Sequence, residues 1–343
     1  MNGKAAEQKP AAPLLRVRDL TTTFHTGAGP FRAIEDVSFS VQPQEALALV
    51  GESGCGKTVT ALSIMRLAGP AARTEGEVHL NGTELLTLSD REMREVRGKR
   101  ISMVFQNPLT ALNPALTIGD QIAEVIRAHE EKGGPHGSRW RWLVGKEDCR
   151  GEVWRRVLQL LDRVAIPSPK ESAERWPHQL SGGMRQRAVI AAALAGSPQL
   201  LIADEPTTAL DVTVQGQIIN LLNDVREKSA TAILLISHDF ALVAEFADRA
   251  AVMYAGQIVE LADTQRVVAA PLHPYTRALL LCVPTLEEQQ PLRTIPGSVP
   301  ARYETIPGCR FRERCPIAAA RCEREVPALR EIEEGHWVRC HLA

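Results

Sequence analysis

A glycine-rich segment near residue 54 has the composition of a phosphate-binding loop. It fits the pattern G-x-x-x-x-G-K-[ST] and consists of Gly51, Glu52, Ser53, Gly54, Cys55, Gly56, Lys57 and Thr58. Glycines let backbone amides curve around a phosphate, and the helix predicted over 58–67 directs its positive N-terminus at the same point. In this pattern Lys57 reaches the β- and γ-phosphates of a nucleotide and the Thr58 hydroxyl ligates Mg²⁺. The alternative, an ordinary glycine-rich turn, is disfavoured by the apolar strand that precedes the loop.

Two adjacent carboxylates, Asp204 and Glu205, follow the apolar run Leu200–Ala203. Asp204 is suited to hold Mg²⁺ through water, and Glu205 to orient or deprotonate an attacking water molecule. An acidic pair after a strand can also simply cap a helix. Because the chain carries a phosphate loop as well, we predict the catalytic role for the pair.

A second anion site is predicted at Ser181, Gly182 and Gly183. Ser181 can cap a helix, and the two glycines leave the first backbone amides of that helix accessible. One nucleotide has one γ-phosphate, so two phosphate-binding segments suggest that one of them serves a neighbouring subunit.

Three continuous apolar runs position this chemistry, because each is followed at once by glycine-rich or polar residues. The runs are Ala46–Val50, Leu200–Ala203 and Ile233–Ile236. Such runs are typical of strands buried on both faces of a parallel sheet, and open α/β sheets bind ligands at the carboxyl ends of their strands. We therefore expect the phosphate loop, the carboxylate pair and Ser237-His238 to meet at one site.

The remaining patterns predict elements around this sheet. Alternation over Leu15–Leu20, and again over Val78–Leu80 before the turn residues Asn81-Gly82, predicts antiparallel strands near the N-terminus. From about 106 to 195 the pattern is helical, interrupted by a loop-like insert at 131–151.

Composition excludes several classes of protein. The chain has 343 residues, with 40 Lys and Arg against 41 Asp and Glu, which leaves a net charge of −1. We therefore do not expect the chain to bind nucleic acid through an overall positive charge. No apolar stretch approaches the roughly 20 residues of a membrane-spanning helix, and the N-terminal residues lack the apolar core of a secretory signal.

The run Leu180-Ser181-Gly182-Gly183 resembles the signature L-S-G-G-x of the ATP-binding-cassette (ABC) ATPases. The resemblance continues at Gln106 after a predicted strand, at Ala209-Leu210-Asp211 and at His238. It implies that two such domains form a head-to-tail sandwich, with ATP between the phosphate loop of one and the Ser181 segment of the other.

The same resemblance implies roles for individual residues. Gln106 contacts Mg²⁺ and relays the nucleotide state to a partner, and His238 holds the γ-phosphate and Glu205. Asp211 lies on the dimer contact. Phe24, 27 residues before Gly51, falls where the family places an aromatic ring on the adenine; the alternative for Phe24 is a buried strand residue.

The fold that these observations predict is α/β: a P-loop NTPase with a RecA-like parallel sheet core, an antiparallel β subdomain, an α-helical subdomain and a C-terminal extension with a cysteine cluster. The predicted regions are a flexible tail over 1–13, an ABC ATPase domain over 14–270 with a helical subdomain over about 107–195 and an insert over 131–151, and the extension over 271–343.

A finer resemblance covers nearly the whole chain. The runs Gln106–Pro114, Ala203–Gln215 and His273–Thr276, and the tail with Ile295-Pro296-Gly297, are similar to the ATPase subunits of bacterial dipeptide and oligopeptide importers. This implies an ATP-hydrolysing subunit at the cytoplasmic face of the inner membrane. Its implied partners are a second ATPase subunit in a heterodimer, two permease subunits and a substrate-binding protein, without nucleic acid.

Two other functions stay open at this point. The same motor could transport nickel or another small solute. A soluble ABC ATPase acting on DNA or ribosomes is the second alternative, although such proteins usually carry a long coiled coil or two cassettes in one chain, and neither pattern occurs here.

Four of the seven cysteines fall in the last 35 residues: Cys309, Cys315, Cys322 and Cys340. Their segment has little apolar content, so a metal staple would help to order it. The gaps are wider than the C-x₂₋₄-C pairs typical of zinc, and they suit a [4Fe–4S] cluster at least as well. The importer resemblance points to the cluster too, with zinc, free thiols or disulfides as alternatives. Cys55 lies at a helix N-terminus, where the pKa of a thiol tends to fall. The alternative, which we favour over any regulatory role, is that Cys55 is a small filler at a variable position of the motif.

Overall fold

Two β-sheets organise the molecule, for which a computed structural model describes residues 12–27, 29–130, 147–208, 210–282 and 294–343. Twelve strands occur in these ranges. They are β1 (Leu15–Thr26), β2 (Gly29–Val41), β3 (Ala46–Val50), β4 (Ala72–Leu80), β5 (Thr83–Glu84), β6 (Ile101–Val104), β7 (Leu200–Asp204), β8 (Ala232–Ser237), β9 (Arg249–Tyr254), β10 (Gln257–Asp263), β11 (Arg330–Glu333) and β12 (His336–Val338).

The larger sheet has the order β11-β12-β10-β9-β3-β8-β7-β6. Strands β9, β3, β8, β7 and β6 run parallel, and β10, β12 and β11 continue the sheet in antiparallel pairing. The three predicted apolar strands are confirmed as β3, β7 and β8, and every residue of the three is buried. Their parallel pairing brings their carboxyl ends to one edge, where the predicted site residues begin.

Strand β3 is buried on both faces because the sheet separates two hydrophobic cores. Leu47 and Leu49 face a core shared with the antiparallel sheet, whereas Ala48 and Val50 face a core shared with the helices. The antiparallel sheet has the order β2-β1-β4-β5. The predicted turn at Asn81-Gly82 joins β4 to β5, and both residues have positive φ, as a tight hairpin turn requires.

Twelve α-helices occur in the described ranges. They are α1 (Lys57–Ile64), α2 (Asp90–Val96), α3 (Pro108–Ala111), α4 (Ile118–Glu130), α5 (Glu147–Arg163), α6 (Pro169–Ala173), α7 (Gly182–Leu194), α8 (Val212–Ser229), α9 (Phe240–Phe246), α10 (Thr264–Ala269), α11 (Pro274–Leu281) and α12 (Ala320–Arg324). Helices α3 to α7 lie between β6 and β7 in the chain. The helix predicted over 58–67 is α1, which ends three residues earlier. No helix in these ranges is long and apolar enough to cross a membrane.

The predicted insert at 131–151 needs a correction at its end. Helix α5 begins at Glu147, so the prediction of a loop is wrong for residues 147–151. The helix continues from there into Val153 and Val157, apolar residues at helical spacing that are both buried. Residues 131–146 of the insert, with Trp140 and Trp142, and residues 1–11 of the predicted tail lie outside the described ranges.

The C-terminal extension packs against the parallel sheet. Strand β12 pairs with β10. The ring of Phe311 lies 5.2 Å from that of Tyr254 on β9 and 5.4 Å from that of Tyr275 on α11, and all three side chains are buried. The extension is therefore ordered by burial of aromatic residues to a greater degree than its composition predicts.

Candidate active site

The phosphate loop connects β3 to α1 and folds around the ammonium of Lys57. Gly54 and Gly56 have φ values of +78° and +106°, which favour glycine. A Cβ on Gly56 would lie 2.8 Å from Cγ2 of Ile34, so the loop also needs glycine there for space. Nζ of Lys57 donates to the carbonyl oxygens of Gly51, at 2.7 Å, and Glu52, at 3.0 Å. The loop thus has the curved shape that the sequence predicts.

The expectation of a lowered pKa for the Cys55 thiol is wrong. Cys55 is fully buried, and this desolvation raises its pKa more strongly than the nearby charge of Lys57 lowers it. Burial outweighs the position near a helix N-terminus. Cys55 therefore acts as a small apolar filler beneath the loop.

Asp204 ends β7 beside the phosphate loop. Its Oδ1 accepts a hydrogen bond of 3.1 Å from the Thr58 hydroxyl. Burial raises the pKa of Asp204 to about 6, against the lowering effect of the Thr58 hydrogen bond. A buried carboxylate next to a hydroxyl supplies the oxygen ligands that Mg²⁺ prefers, and a cation there would compensate the buried charge.

Glu205 accepts hydrogen bonds from three directions. Its Oε2 lies 2.9 Å from both Nε2 of Gln106 and Oγ1 of Thr208, and its Oε1 lies 3.3 Å from Nδ1 of His238. Burial raises the pKa of Glu205, but the hydrogen bond from Thr208 and the neighbouring His238 outweigh it, so the pKa is lowered overall. The carboxylate is therefore held in its ionised form.

Thr208 is the contact that sequence reasoning missed. It lies three residues after Glu205, whose φ of +46° turns the chain back toward the carboxylate. The run Glu205-Pro206-Thr207-Thr208 contains a proline and two hydroxyls, a turn signal that could have identified it. A small cavity opens beside this turn, and its lining residues are Glu205, Thr207, Thr208, Gln215, Ser237, His238 and Asp239.

The predicted second anion site lies at the surface. Oγ of Ser181 accepts the amide of Met184 at 3.3 Å and so caps α7, and Ser181 and Gly182 are exposed. Asp211 caps α8 through the amide of Val214 and is exposed as well. Among the residues that the structure describes, no hydrogen bond joins Ser181 to the phosphate loop of the same chain.

Phe24 lies on β1, opposite Phe31 of β2 and Ala72 of β4, and is half-buried. This position agrees with a strand residue, and stacking on adenine stays a prediction.

Comparison with known proteins identifies the family. The family model for ABC transporters matches residues 34–208, which contain the phosphate loop, the Ser181 segment and the carboxylate pair. The chain belongs to the ABC transporter ATPase family. It is therefore an ATPase whose hydrolysis of ATP is coupled to transport. A second model, for the C-terminal region of oligopeptide and dipeptide transporters, matches residues 259–322 of this ABC ATPase.

Relatives resemble the ABC ATPase over almost its full length. An ATP-binding protein of Brucella abortus, whose name assigns it to peptide import, is 47% identical over 96% of this chain and 95% of its own. The dipeptide transport ATP-binding protein DppD of Escherichia coli K12 is 44% identical over 96% of both chains. A dimeric ATP-binding cassette solved in a post-hydrolysis state with ADP and phosphate is 27% identical, with a TM-score of 0.61, covering 73% of this chain and 98% of its own.

The four C-terminal cysteines of the ABC ATPase lie near one another. Cys322 and Cys340 are buried, and the amide of Cys309 donates to the Cys322 carbonyl at 2.8 Å. Burial raises the pKa of Cys309 to about 11, and the other three thiols add to this shift. All four of these cysteines are free thiols. Within the described ranges, no group of three or more His, Cys, Asp or Glu side chains is arranged to hold a metal ion. The cluster and zinc alternatives therefore stay predictions.

Proposed function

We propose that this ABC ATPase drives the import of dipeptides or oligopeptides through separate permease subunits. The observation that carries the proposal is the match of residues 259–322 to the C-terminal region of oligopeptide and dipeptide transporters. That region lies largely outside the ATP-binding cassette. The names of the full-length relatives point to the same class of solute.

In the proposed ATP site the phosphate loop binds the triphosphate. Lys57 would turn its ammonium from the carbonyl oxygens of Gly51 and Glu52 to the β- and γ-phosphates. Thr58, Asp204 and Gln106 are the proposed residues for Mg²⁺, which when bound offsets the negative charge that develops on the phosphates. The 3.1 Å contact between Thr58 and Asp204 supports this assignment for two of the three.

Glu205 is the proposed group that orients or deprotonates the attacking water. Its lowered pKa keeps it able to accept a proton at neutral pH. Gln106 contacts one carboxylate oxygen of Glu205, and His238 contacts the other. Contacts of these two side chains with the γ-phosphate would therefore change the position of Glu205.

The exposed Ser181 segment supports an ATP site completed by a second ATPase subunit. Helix α7 begins there with accessible amides and Asp211 begins α8 beside it, so both are free to meet the nucleotide or loop of a partner. We propose a heterodimer at the cytoplasmic face of the inner membrane, working with two permeases and a substrate-binding protein and without nucleic acid.

We propose further that Cys309, Cys315, Cys322 and Cys340 hold a [4Fe–4S] cluster, with Zn²⁺ as the alternative. The support for this is the chemistry of the donor set, four free thiols of which Cys315, Cys322 and Cys340 are near enough to Cys309 to raise its pKa. The described side chains do not form a ready-made metal site, so the thiols would have to close around the metal. The cluster would have a structural role. Anaerobic purification should give a brown protein with absorbance near ~400 nm and about four irons per chain. One zinc in a colourless preparation would establish the alternative, and neither metal would contradict both.

Transport is tested by reconstituting the chain with its permeases, partner ATPase and binding protein in vesicles. Di- and oligopeptides should stimulate ATP hydrolysis severalfold and accumulate in the compartment to which transport is directed. Stimulation by Ni²⁺ and not by peptides would support the nickel alternative. Stimulation by DNA or ribosomes without membranes would overturn the transport function itself.

A further inference from the structure

The second residue of the phosphate loop is bound by the C-terminal extension. The guanidinium of Arg314 donates to both carboxylate oxygens of Glu52, at 2.8 and 2.9 Å. The Arg314 side chain is only 6% exposed. Such a two-point bond between a guanidinium and a carboxylate fixes direction as well as distance. Arg314 is 262 residues from Glu52 in the chain, so this contact depends entirely on the docking of the extension.

A second contact fixes the backbone of the same residue. The amide of Glu52 donates to the hydroxyl oxygen of Tyr275 at 2.9 Å. Tyr275 belongs to His273-Pro274-Tyr275-Thr276, a run that the ATP-site chemistry does not use. Its ring is fully buried, and the His273 imidazole caps the helix that carries it. The position of the Tyr275 hydroxyl is therefore rigid.

Glu52 also joins the loop to itself. Its carbonyl oxygen accepts hydrogen bonds from Nζ of Lys57, at 3.0 Å, and from the amide of Cys55, at 3.3 Å. The side chain, amide and carbonyl of one residue thus connect the extension with the lysine that the nucleotide requires. Any movement of Glu52 is transmitted to the shape of the loop.

The guanidinium of Arg314 is held in place by other contacts within the protein. Its Nε donates to the carbonyl of Pro296 at 2.8 Å, and the guanidinium lies 5.7 Å from the ring of Tyr254 and 5.9 Å from that of Phe311. These contacts hold the guanidinium before it meets Glu52, which lowers the entropy cost of ordering the loop.

We propose that Arg314 and Tyr275 are positioning residues for nucleotide binding: by holding Glu52 they keep the phosphate loop in its binding shape. The C-terminal extension is then part of the ATP site, and its displacement lowers the affinity for nucleotide. The proposal rests on ATP binding at the loop and is independent of the transported solute, so a failure of peptide transport leaves it standing.

The test measures ATP and ADP affinity by titration calorimetry on the full chain. Arg314→Gln should weaken both affinities about tenfold, since a hydrogen bond to a charged group contributes on the order of 1.5 kcal/mol. Turnover at saturating ATP should stay within about twofold, because the groups around Glu205 are untouched. Arg314→Lys should recover part of the affinity, since a lysine keeps the charge but not the two-point geometry.

A matched control is Arg339→Gln, which removes another buried arginine of the extension. Arg339 pairs with Asp36 at 2.8 Å and bonds to the carbonyl of Ile258, and it does not contact the loop. Its loss should lower the melting temperature while leaving nucleotide affinity within about twofold. Equal loss of affinity in the two variants would overturn the proposal, because the effect would then be general loosening of the extension.

A double-mutant cycle with Glu52→Gln checks the route of action. If Arg314 acts through Glu52, Arg314→Gln should weaken affinity no further in the Glu52→Gln background. Additive losses would contradict that route.

Tyr275→Phe, which keeps the ring and removes only the hydroxyl, tests the second contact and should weaken affinity severalfold. Should Arg314→Gln fail to fold, Arg314→Lys and Tyr275→Phe carry the test, and unchanged affinity in both would overturn the proposal.

Discussion

Glu205 and His238 face each other across the ends of two neighbouring parallel strands, with Oε1 of the carboxylate 3.3 Å from Nδ1 of the imidazole. The register of β7 against β8 produces this pair. Asp204 lies opposite Ile236, and the amide of Glu205 donates to the Ile236 carbonyl at 2.9 Å. The residue after each strand is thereby brought to the same point, and the phosphate loop follows β3 on the other side of β8.

Replacement of Glu205 by Gln tests its proposed role in hydrolysis. The amide keeps the size of the side chain but cannot take a proton, so turnover should fall by ~10²–10⁴-fold. ATP affinity should be retained, because Glu205 is not part of the loop that binds the phosphates. Lys57→Ala should instead weaken binding itself. Steady-state turnover and calorimetric ATP affinity separate the two variants, and turnover within a few-fold of the original in Glu205→Gln would contradict the role.

Thr208→Val tests whether the threonine hydroxyl positions Glu205. The hydrogen bond from Thr208 stabilises the ionised carboxylate and lowers its pKa, so its loss should raise that pKa. The acid limb of the turnover-against-pH profile should therefore move to higher pH, with turnover near neutral pH reduced severalfold. The measurement is steady-state hydrolysis across the pH range at saturating ATP.

Thr207→Val is the matched control for this prediction. Thr207 is the adjacent threonine, and its backbone carbonyl accepts hydrogen bonds from the Gln215 side chain, at 3.3 Å, and from the Leu210 amide, at 3.2 Å. Its replacement should leave the acid limb where it is. An acid limb that moves equally in both variants, or in neither, would argue against a positioning role for Thr208.

The site strands were predictable from sequence because burial on both faces leaves a plain signal in residue type. Five residues of β3, each apolar and each buried, need no knowledge of their neighbours to be recognised. The glycines of the phosphate loop are recognisable from sequence in the same way, since their backbone conformations disfavour any other residue type at those positions. The residue types within single short segments were therefore enough to predict the phosphate loop and the carboxylate pair.

The order of the extension was not predictable in the same way. Tyr254, Tyr275 and Phe311 pack together although the first and the last are 57 positions apart in the chain. Each ring alone predicts nothing about its partners. The prediction of a lowered pKa for Cys55 failed for a related reason. The helix N-terminus, which would lower the pKa, can be recognised in the sequence, but the burial that raises the pKa depends on tertiary packing.

The pH dependence of stability provides a test of the Asp204 environment. The pKa of Asp204 is raised to about 6 from a usual value of 3.8. Between about pH 4 and pH 6 the folded protein keeps a proton that the unfolded chain has released, so the free energy of unfolding falls as the pH rises, by on the order of 2 to 3 kcal/mol in total. Above about pH 6 both states have lost the proton and this contribution is constant.

Asp204→Asn removes that charge while keeping an oxygen that can accept from Thr58. In the presence of EDTA the variant should be more stable than the original protein, and the gain should be larger at about pH 7.5 than at about pH 4.5. Thermal unfolding at the two pH values measures it. Asp224→Asn, which alters an exposed carboxylate paired with Lys228, should show no such pH-dependent gain. An equal gain at both pH values would mean that Asp204 is not held in a desolvated site.

The contact between the first turns of α7 and α8 gives a prediction about Gly183. A Cβ at Gly183 would lie 2.7 Å from Cγ1 of Val214, a stiff side chain that cannot easily turn away. Gly183→Ala should therefore lower the free energy of unfolding by about 1–3 kcal/mol, as overpacking does in a close contact. At Gly182 the nearest atom would be 3.6 Å away, so Gly182→Ala is the matched control and should change stability by no more than about 0.5 kcal/mol.

Val214→Ala supplies the rescue that separates crowding from a glycine-specific backbone requirement. In that background the added methyl group has room, so Gly183→Ala should recover most of the lost stability, and the two substitutions should be strongly non-additive in urea unfolding. Because α7 and α8 carry Ser181 and Asp211 at their starts, the same clash should also displace the surface proposed to meet the partner subunit, and the rescue should restore ATP-dependent dimerisation along with stability. Persistent destabilisation of Gly183→Ala in the Val214→Ala background would show that the glycine is required for its backbone and not for the space beside Val214.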